Sequence, residues 1–131
     1  MLIRSTALLC ALAAAAIARG DDVRQLSLTK LNPGSRIEIS TTDRVYRGEL
    51  LDPATGETRL AASRDGVQFS QPQTAFLLGA TQGRTSEADG LMLVKMNQLQ
   101  TGLRVELGLG SLQESDRYLT EPVQGLRVEA E

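Results

Sequence analysis

No histidine occurs among the 131 residues, and the one cysteine, Cys10, lies near the amino terminus. Without an imidazole the chain lacks the usual general base, the Ser-His and Cys-His nucleophile systems and the commonest metal ligand. Beyond Cys10 it can form neither a disulfide nor a Cys-based metal site, so packing alone must hold the fold. Tryptophan is also absent, and Tyr46, Phe69, Phe76 and Tyr118 are the only aromatic residues. Four rings are too few for a sugar-stacking platform, and Phe69 and Phe76 are expected in the core. The formal net charge is −2 and is spread rather than blocked, which favours neither nucleic acid nor an anionic bilayer as partner.

What is present at the amino terminus has the order of an export signal. Met1 to Arg4 supplies a positive start, Ser5 to Ala15 an apolar run, and Ala16-Ile17-Ala18 the small residues that signal peptidase accepts. A cut is expected after Ala18. The alternative of an uncleaved anchor is disfavoured because Ser5 to Ala18 is only fourteen residues long, whereas spanning hydrocarbon takes about 20. A lipoprotein signal at Cys10 is a poor fit, since bulky Leu9 stands where a small residue belongs. Removing residues 1–18 of the 131 leaves 113, residues 19–131, which suits one domain of common size. Arg outnumbers Lys twelve to two, a compositional bias that, with the Ala-rich signal, suggests a bacterial envelope.

The rest of the chain reads as short strands separated by turns. Val23 to Leu31 fits either a strand or a short helical turn. Asn32-Pro33-Gly34-Ser35 is a tight turn, because Pro presets the first corner and Gly tolerates the second. Arg36 to Ser40 alternates, with Ile37 and Ile39 on one face. Val45 to Leu51 and Glu57 to Ala61 are expected to form a hairpin around Asp52-Pro53-Ala54-Thr55-Gly56, with Gly56 at positive φ. Asp65-Gly66 marks another turn, and Val67 to Ser70 and Thr74 to Ala80 follow as short apolar segments. Gly83 to Gly90 reads as a polar loop. Leu91-Met92-Leu93-Val94 is so uniformly apolar that it is the candidate central strand. After Thr101-Gly102, Leu103, Val105, Leu107 and Leu109 alternate with Arg104, Glu106 and Gly108. Ser111-Leu112-Gln113-Glu114 has capping-box form, giving either one helical turn or a loop. Leu126 to Glu129 alternates again.

Gly34-Ser35-Arg36-Ile37-Glu38, Gly102-Leu103-Arg104-Val105-Glu106 and Gly125-Leu126-Arg127-Val128-Glu129 share one phrase without a fixed period, which excludes a repeat array. Each places a turn glycine before a strand with a β-branched residue inward and an Arg/Glu pair outward. Strands of this kind lying side by side would set opposite charges against each other.

Few motifs carry chemistry. Ser27-Leu28-Thr29-Lys30 matches Ser-x-x-Lys, but the Ser-Asp-Asn and Lys-Thr-Gly elements of penicillin-recognising enzymes are missing. Ser86-Glu87-Ala88-Asp89-Gly90 lacks the alternating ligands of an EF-hand loop. Neither Gly108-Leu109-Gly110 nor Gly79 to Gly83 completes a phosphate-binding motif. Arg19-Gly20-Asp21 spells an integrin tripeptide, read as coincidence, and neither Asn32 nor Asn97 is in a glycosylation sequence. Asp43, Glu49, Asp52, Glu57 and Asp65 lie in or beside the first hairpins, where turn chemistry and exposed strand faces explain them. Arg36, Glu38, Arg104 and Glu106 are expected to face water, and the turn acids Asp43, Asp52, Asp65 and Asp89 to stay solvated at ordinary pKa values.

Gly34 to Asp52, with Ile37, Ile39, Asp43, Tyr46, Gly48 and Leu50, resembles the strand pair that opens small SH3-like and Sm-like barrels. The resemblance implies a barrel shape only, because no RNA-contact motif is matched. The fold expected is all-β, a small antiparallel barrel or sandwich after the cleaved signal. The function expected is a secreted or periplasmic, non-catalytic binding module. It would meet a protein or a cell-envelope ligand through a sheet edge or a loop, without cofactor, metal, nucleic acid or a membrane span in the mature chain. The alternative is a small carboxylate-dependent hydrolase using Asp43, Glu49 and Asp52.

Overall fold

The computed structural model describes residues 21–84 and 91–129. The expected signal over residues 1–18, the Arg19-Gly20 half of the tripeptide and the Ser86–Gly90 segment lie outside the described residues. The fold is all-β and antiparallel, with no α-helix among the described residues. Eleven strands run in chain order as β1 (Asp21–Val23), β2 (Gln25–Ser27), β3 (Arg36–Thr41), β4 (Val45–Asp52), β5 (Glu57–Ser63), β6 (Gln73–Arg84), β7 (Leu91–Met96), β8 (Gln98–Gln100), β9 (Arg104–Leu109), β10 (Arg117–Leu119) and β11 (Val123–Glu129). Nine of them form one sheet in the order β1-β11-β3-β4-β5-β6-β9-β10, with β7 also paired to β6, while β2 and β8 make a separate ribbon.

The barrel alternative is corrected by this order. Closure needs the end strands to share a ladder, and here the path ends at β1 and β10, which do not pair. Both are three residues long. The core nevertheless draws on both sheets: Leu26 and Leu99 of the ribbon pack with Ile37, Ile39, Tyr46, Leu50, Leu77, Val105, Leu107 and Leu126 of the main sheet. Asn97 joins the two sheets at φ 56, a left-handed conformation that Asn tolerates better than most residues. Its N–H donates to Leu78 O (2.8 Å), and its carbonyl accepts from Leu28 N (2.9 Å). The Val23–Leu31 stretch resolves into β1, β2 and a 3-10 turn over Leu28–Lys30, so it is both strand and turn.

The first hairpins form as their turn chemistry dictates. Ser35 N–H bonds Asn32 O across the Pro33-Gly34 turn, with Gly34 at φ 93. At the second turn Asp52 Oδ1 accepts from Ala54 N–H (2.9 Å) and Asp52 O from Gly56 N–H (2.8 Å). Gly56 has φ 79, and its glycine identity has a second cause: a Cβ there would lie 2.1 Å from Leu77 O.

Three expectations about strands and core are corrected. Val67 to Ser70 is loop, with Val67 79 % exposed. Phe69 and Phe76 are half-buried rather than core. Phe69 sits in that loop with the Arg47 guanidinium 4.4 Å above its ring, and Phe76 stands on the opposite face from its buried neighbours Ala75 and Leu77. The central strand is β6, not the Leu91–Val94 run. β6 pairs β5 along its first half, β7 along its second, and β9 on its other side, whereas β7 has β6 as its only ladder partner among the described residues. Apolar composition does not count hydrogen-bonded neighbours.

The shared Gly-x-Arg-x-Glu phrase finds its use on β3 and β11, which pair with Arg127 opposite Glu38 and Glu129 opposite Arg36. On the next strand Arg47 stands opposite Glu38 and Glu49 opposite Arg36. Two rows of alternating sign therefore cross the sheet. One runs Asp22, Arg127, Glu38, Arg47 and the other Glu129, Arg36, Glu49, Arg59. Arg127 Nε lies 2.8 Å from Asp22 Oδ1 and Arg47 Nε 2.9 Å from Glu38 Oε2.

Candidate functional site

The main sheet curls so that β4 meets β10, although three strands separate them in the order. Tyr46 is buried on the core face of β4, and Tyr118 occupies the same face of β10 through its register partner Leu107. Their phenols are near enough to influence each other. Burial first, and then the neighbouring Tyr118 phenol, hold the Tyr46 hydroxyl protonated well above the usual tyrosine range.

Beside this pair a cleft of about 440 Å³ opens, within the roughly 300–1,000 Å³ of small-ligand sites. Its origin is a fork in the sheet. β5 pairs β6 only from Glu57↔Phe76 to Leu60↔Gln73, and the rest of β5 runs on past that ladder. Ser70 caps the released edge: its N–H donates to Ala62 O (2.8 Å), and its Oγ accepts from Ala62 N–H (3.0 Å). Leu60 and Ala62 of β5 line the cleft together with Gln73 and Ala75 of β6, Leu107 and Leu109 of β9 and Tyr118 of β10. Leu109 is 48 % and Tyr118 37 % exposed, so apolar surface reaches the rim.

Strand parity places two cations at one end. Val45 pairs Ser63, so Arg44, two residues before Tyr46, and Arg64, two residues after Ala62, leave the β4–β5 hairpin on the same face. Both line the cleft, and they carry the only formal charges among its lining residues. Arg44 Nε has Asp43 Oδ2 at 3.9 Å. Asp65 is not among the lining residues, and its Oδ1 accepts from Val67 N–H (2.9 Å), Gln68 N–H (3.0 Å) and the Oγ of Ser63 (2.8 Å), which does line the cleft. Those donors hold its carboxyl down at about 2. The expectation of an unperturbed turn acid is thus corrected at Asp65, which is exposed but tied to backbone N–H groups.

The acids considered for hydrolysis do not converge. Asp43 sits in the turn before β4, accepting from Thr41 Oγ1 (3.0 Å), and Glu49 lies between Arg36 and Arg59 on the charged face. Asp52 closes the far end of β4, nine residues from Asp43, a separation of about 30 Å along an extended strand. Glu57 is half-buried at the start of β5. Ser27 precedes the 3-10 turn that Lys30 ends, and the Ser27 hydroxyl lies 3.2 Å from that of Thr29. Among the described residues no group of three or more Asp, Glu, His or Cys could hold a metal ion, and no helix is long and apolar enough to cross a membrane.

Sequence reasoning also missed a buried acid. Glu106 was expected to face water and is 1 % exposed, Gly108 is buried, and Leu109, expected inward, is exposed. The cause is the segment after β9, which folds back over that face until a Cβ on Gly108 would lie 2.4 Å from Ser111 O. Arg117 ties the segment down. Its Nε and Nη2 donate to Leu112 O (3.3 and 2.9 Å) and its Nη1 to Glu106 Oε1 (3.5 Å). Ser111 does not form the capping box. Its Oγ accepts from Gln113 N–H and donates to Asp116 Oδ2 (2.6 Å), stabilising a 3-10 turn over Glu114–Asp116. Arg104, also expected outside, is half-buried and donates to Thr120 O and Glu121 Oε2 (3.2 Å each).

Compared with known proteins, the chain matches no family model, no curated protein and no solved structure.

Proposed function

We propose that the chain is an exported, non-catalytic binding module that seats its ligand in the cleft between the β4–β5 hairpin and β9–β10. One observation carries this reading. The cleft sets an apolar surface from Leu60, Ala62, Ala75, Leu107 and Leu109 beside two arginines, Arg44 and Arg64, a combination of apolar contact area and a few polar groups that suits ligand recognition. No carboxylate lines it, and the titratable groups that do are Arg44, Arg64, Tyr46 and Tyr118. The reading therefore asks these side chains to bind and orient, with no proton transfer assigned to any of them. Export rests on the amino-terminal pattern alone. The hydrolase alternative finds no support in acids spread along β4.

The test uses the neutral fluorophore N-phenyl-1-naphthylamine. Wild-type protein should bind it at one saturable site, and Ala62→Trp, which fills the cleft, should lose that site while keeping the wild-type circular dichroism. Equal binding by both proteins would move the ligand elsewhere. For the catalytic question, purified protein is screened against esters, glycosides and peptides. Turnover abolished by Asp43→Ala, Glu49→Ala or Asp52→Ala would overturn the non-enzymatic reading.

A further inference from the structure

We infer that the occupant of the cleft is an amphipathic carboxylate, an anionic head on an aliphatic chain, with its head between Arg44 and Arg64. The inference rests on the binding reading above and adds the chemistry of the ligand.

The charge distribution makes the argument. Arg44 and Arg64 are brought to the same end of the cleft by the Val45↔Ser63 register, and every other lining residue is neutral. A neutral apolar ligand would make no use of the positive charge that Arg44 and Arg64 bring to this end of the cleft. A dianionic phosphate would find only part of their charge, because Asp43 lies 3.9 Å from Arg44 and offsets it. A monoanion matches what is left. Guanidinium groups bind carboxylates through paired N–H donors, a geometry in which arginine outperforms lysine, and both cations here are arginines.

The remainder of the cleft specifies the tail. From Arg64 the lining passes through Ala62 and Leu60, on the same face of β5, to Ala75 of β6, with Leu107 and Leu109 on the adjoining strand β9. Burying a methylene against such a surface is worth about 0.8 kcal/mol, so affinity should rise with chain length until the cleft is full. Tyr46 and Tyr118 also line the cleft but as neighbours of each other, and the head falls to the arginines, which carry the only formal charges in the lining. The exposed edges of Leu109 and Tyr118 give the chain an apolar way in.

The experiment displaces N-phenyl-1-naphthylamine from the full protein with dodecanoate, dodecanol or dodecyl phosphate at pH 7. Dodecanoate should be at least tenfold more potent than dodecanol on wild type. In the Arg44→Gln/Arg64→Gln variant that ratio should fall to about one, with the potency of dodecanol unchanged. Equal potency of acid and alcohol on wild type, or an advantage that survives in the double variant, overturns the proposal. So does dodecyl phosphate outcompeting dodecanoate, or the failure of all three to displace the fluorophore. Loss of fluorophore binding to wild type, or its persistence in Ala62→Trp, is a separate result that removes the cleft reading itself.

Discussion

Arg117, the first residue of β10, places Nη1 3.5 Å from Oε1 of Glu106, a carboxylate buried on the neighbouring strand. The same guanidinium holds Leu112 O through two nitrogens, so one side chain both neutralises the acid and fixes the segment that buries it. Arg117→Ala should cost about 1–3 kcal/mol, the penalty for stripping partners from a buried polar group. Arg117→Lys should recover only part of this, because an ammonium cannot span both acceptors. Urea midpoints of the two variants check it, and equal stability of wild type and Arg117→Ala would show that the clamp is idle.

Glycine is required at position 56 for two reasons and at 102 for one. A Cβ at Gly56 (φ 79) would meet Leu77 O at 2.1 Å, while a Cβ at Gly102 (φ 89) meets nothing within 4 Å. Gly102→Ala should therefore show only the left-handed penalty of about 1–2 kcal/mol. Gly56→Ala should cost clearly more, and Gly56→Val more again. Thermal or urea unfolding of the three variants gives the ranking, and comparable losses at both sites would exclude the Leu77 contact.

Asp65 supplies a pH signature. Its carboxyl titrates near 2 in the folded protein against an ordinary 3.8, so its contribution to stability is present above about pH 4 and disappears as pH falls through about 2. Asp65→Asn should be less stable than wild type at pH 7, and the gap should close between pH 4 and pH 2. A gap that stays constant over that interval would mean that the Val67 and Gln68 amides do not hold the anion.

On the charged face, the Glu38–Arg47 pair is the one to measure. Glu38 is largely shielded, with 12 % of its side chain exposed, and Arg47 also covers the Phe69 ring. A double-mutant cycle with Glu38→Gln and Arg47→Gln should give a coupling of about 0.5–1 kcal/mol. The coupling should shrink in 1 M salt. A value indistinguishable from zero at low salt would make the pair ornamental.

Much of the first half of the fold is legible because its information is local. Asn32-Pro33-Gly34-Ser35 and Asp52 to Gly56 each state their turn in a few residues, and the strands between them alternate cleanly. Pairings of distant segments are not legible in this way. β6 pairs β9 over a longer ladder than it pairs β5, yet nothing in Leu77 names Leu107 as its partner. Glu106 defeated the reading because alternation assigns a side chain to a face without saying whether another segment later covers that face. The cleft was hidden for the same reason. Arg44 and Arg64 look like ordinary turn cations until the Val45↔Ser63 pairing brings them together. A usable signal did exist: each lies two residues beyond a core-facing position, Tyr46 and Ala62.

The alternating rows across β11, β3 and β4 act as a parity check on assembly. A slip of one residue turns the apolar face outward and is rejected by burial alone. A slip of two preserves that face and would pass unnoticed in a strand with uncharged outer residues. Here, moving β11 by two against β3 sets Arg127 opposite Arg36 in one direction and Glu129 opposite Glu38 in the other. Moving β4 by two against β3 sets Arg47 opposite Arg36, or Glu49 opposite Glu38. Every near miss that hydrophobicity would accept is thus refused by repulsion between like charges, and the stagger of three neighbouring strands is written in the order of signs on the wet side of the sheet.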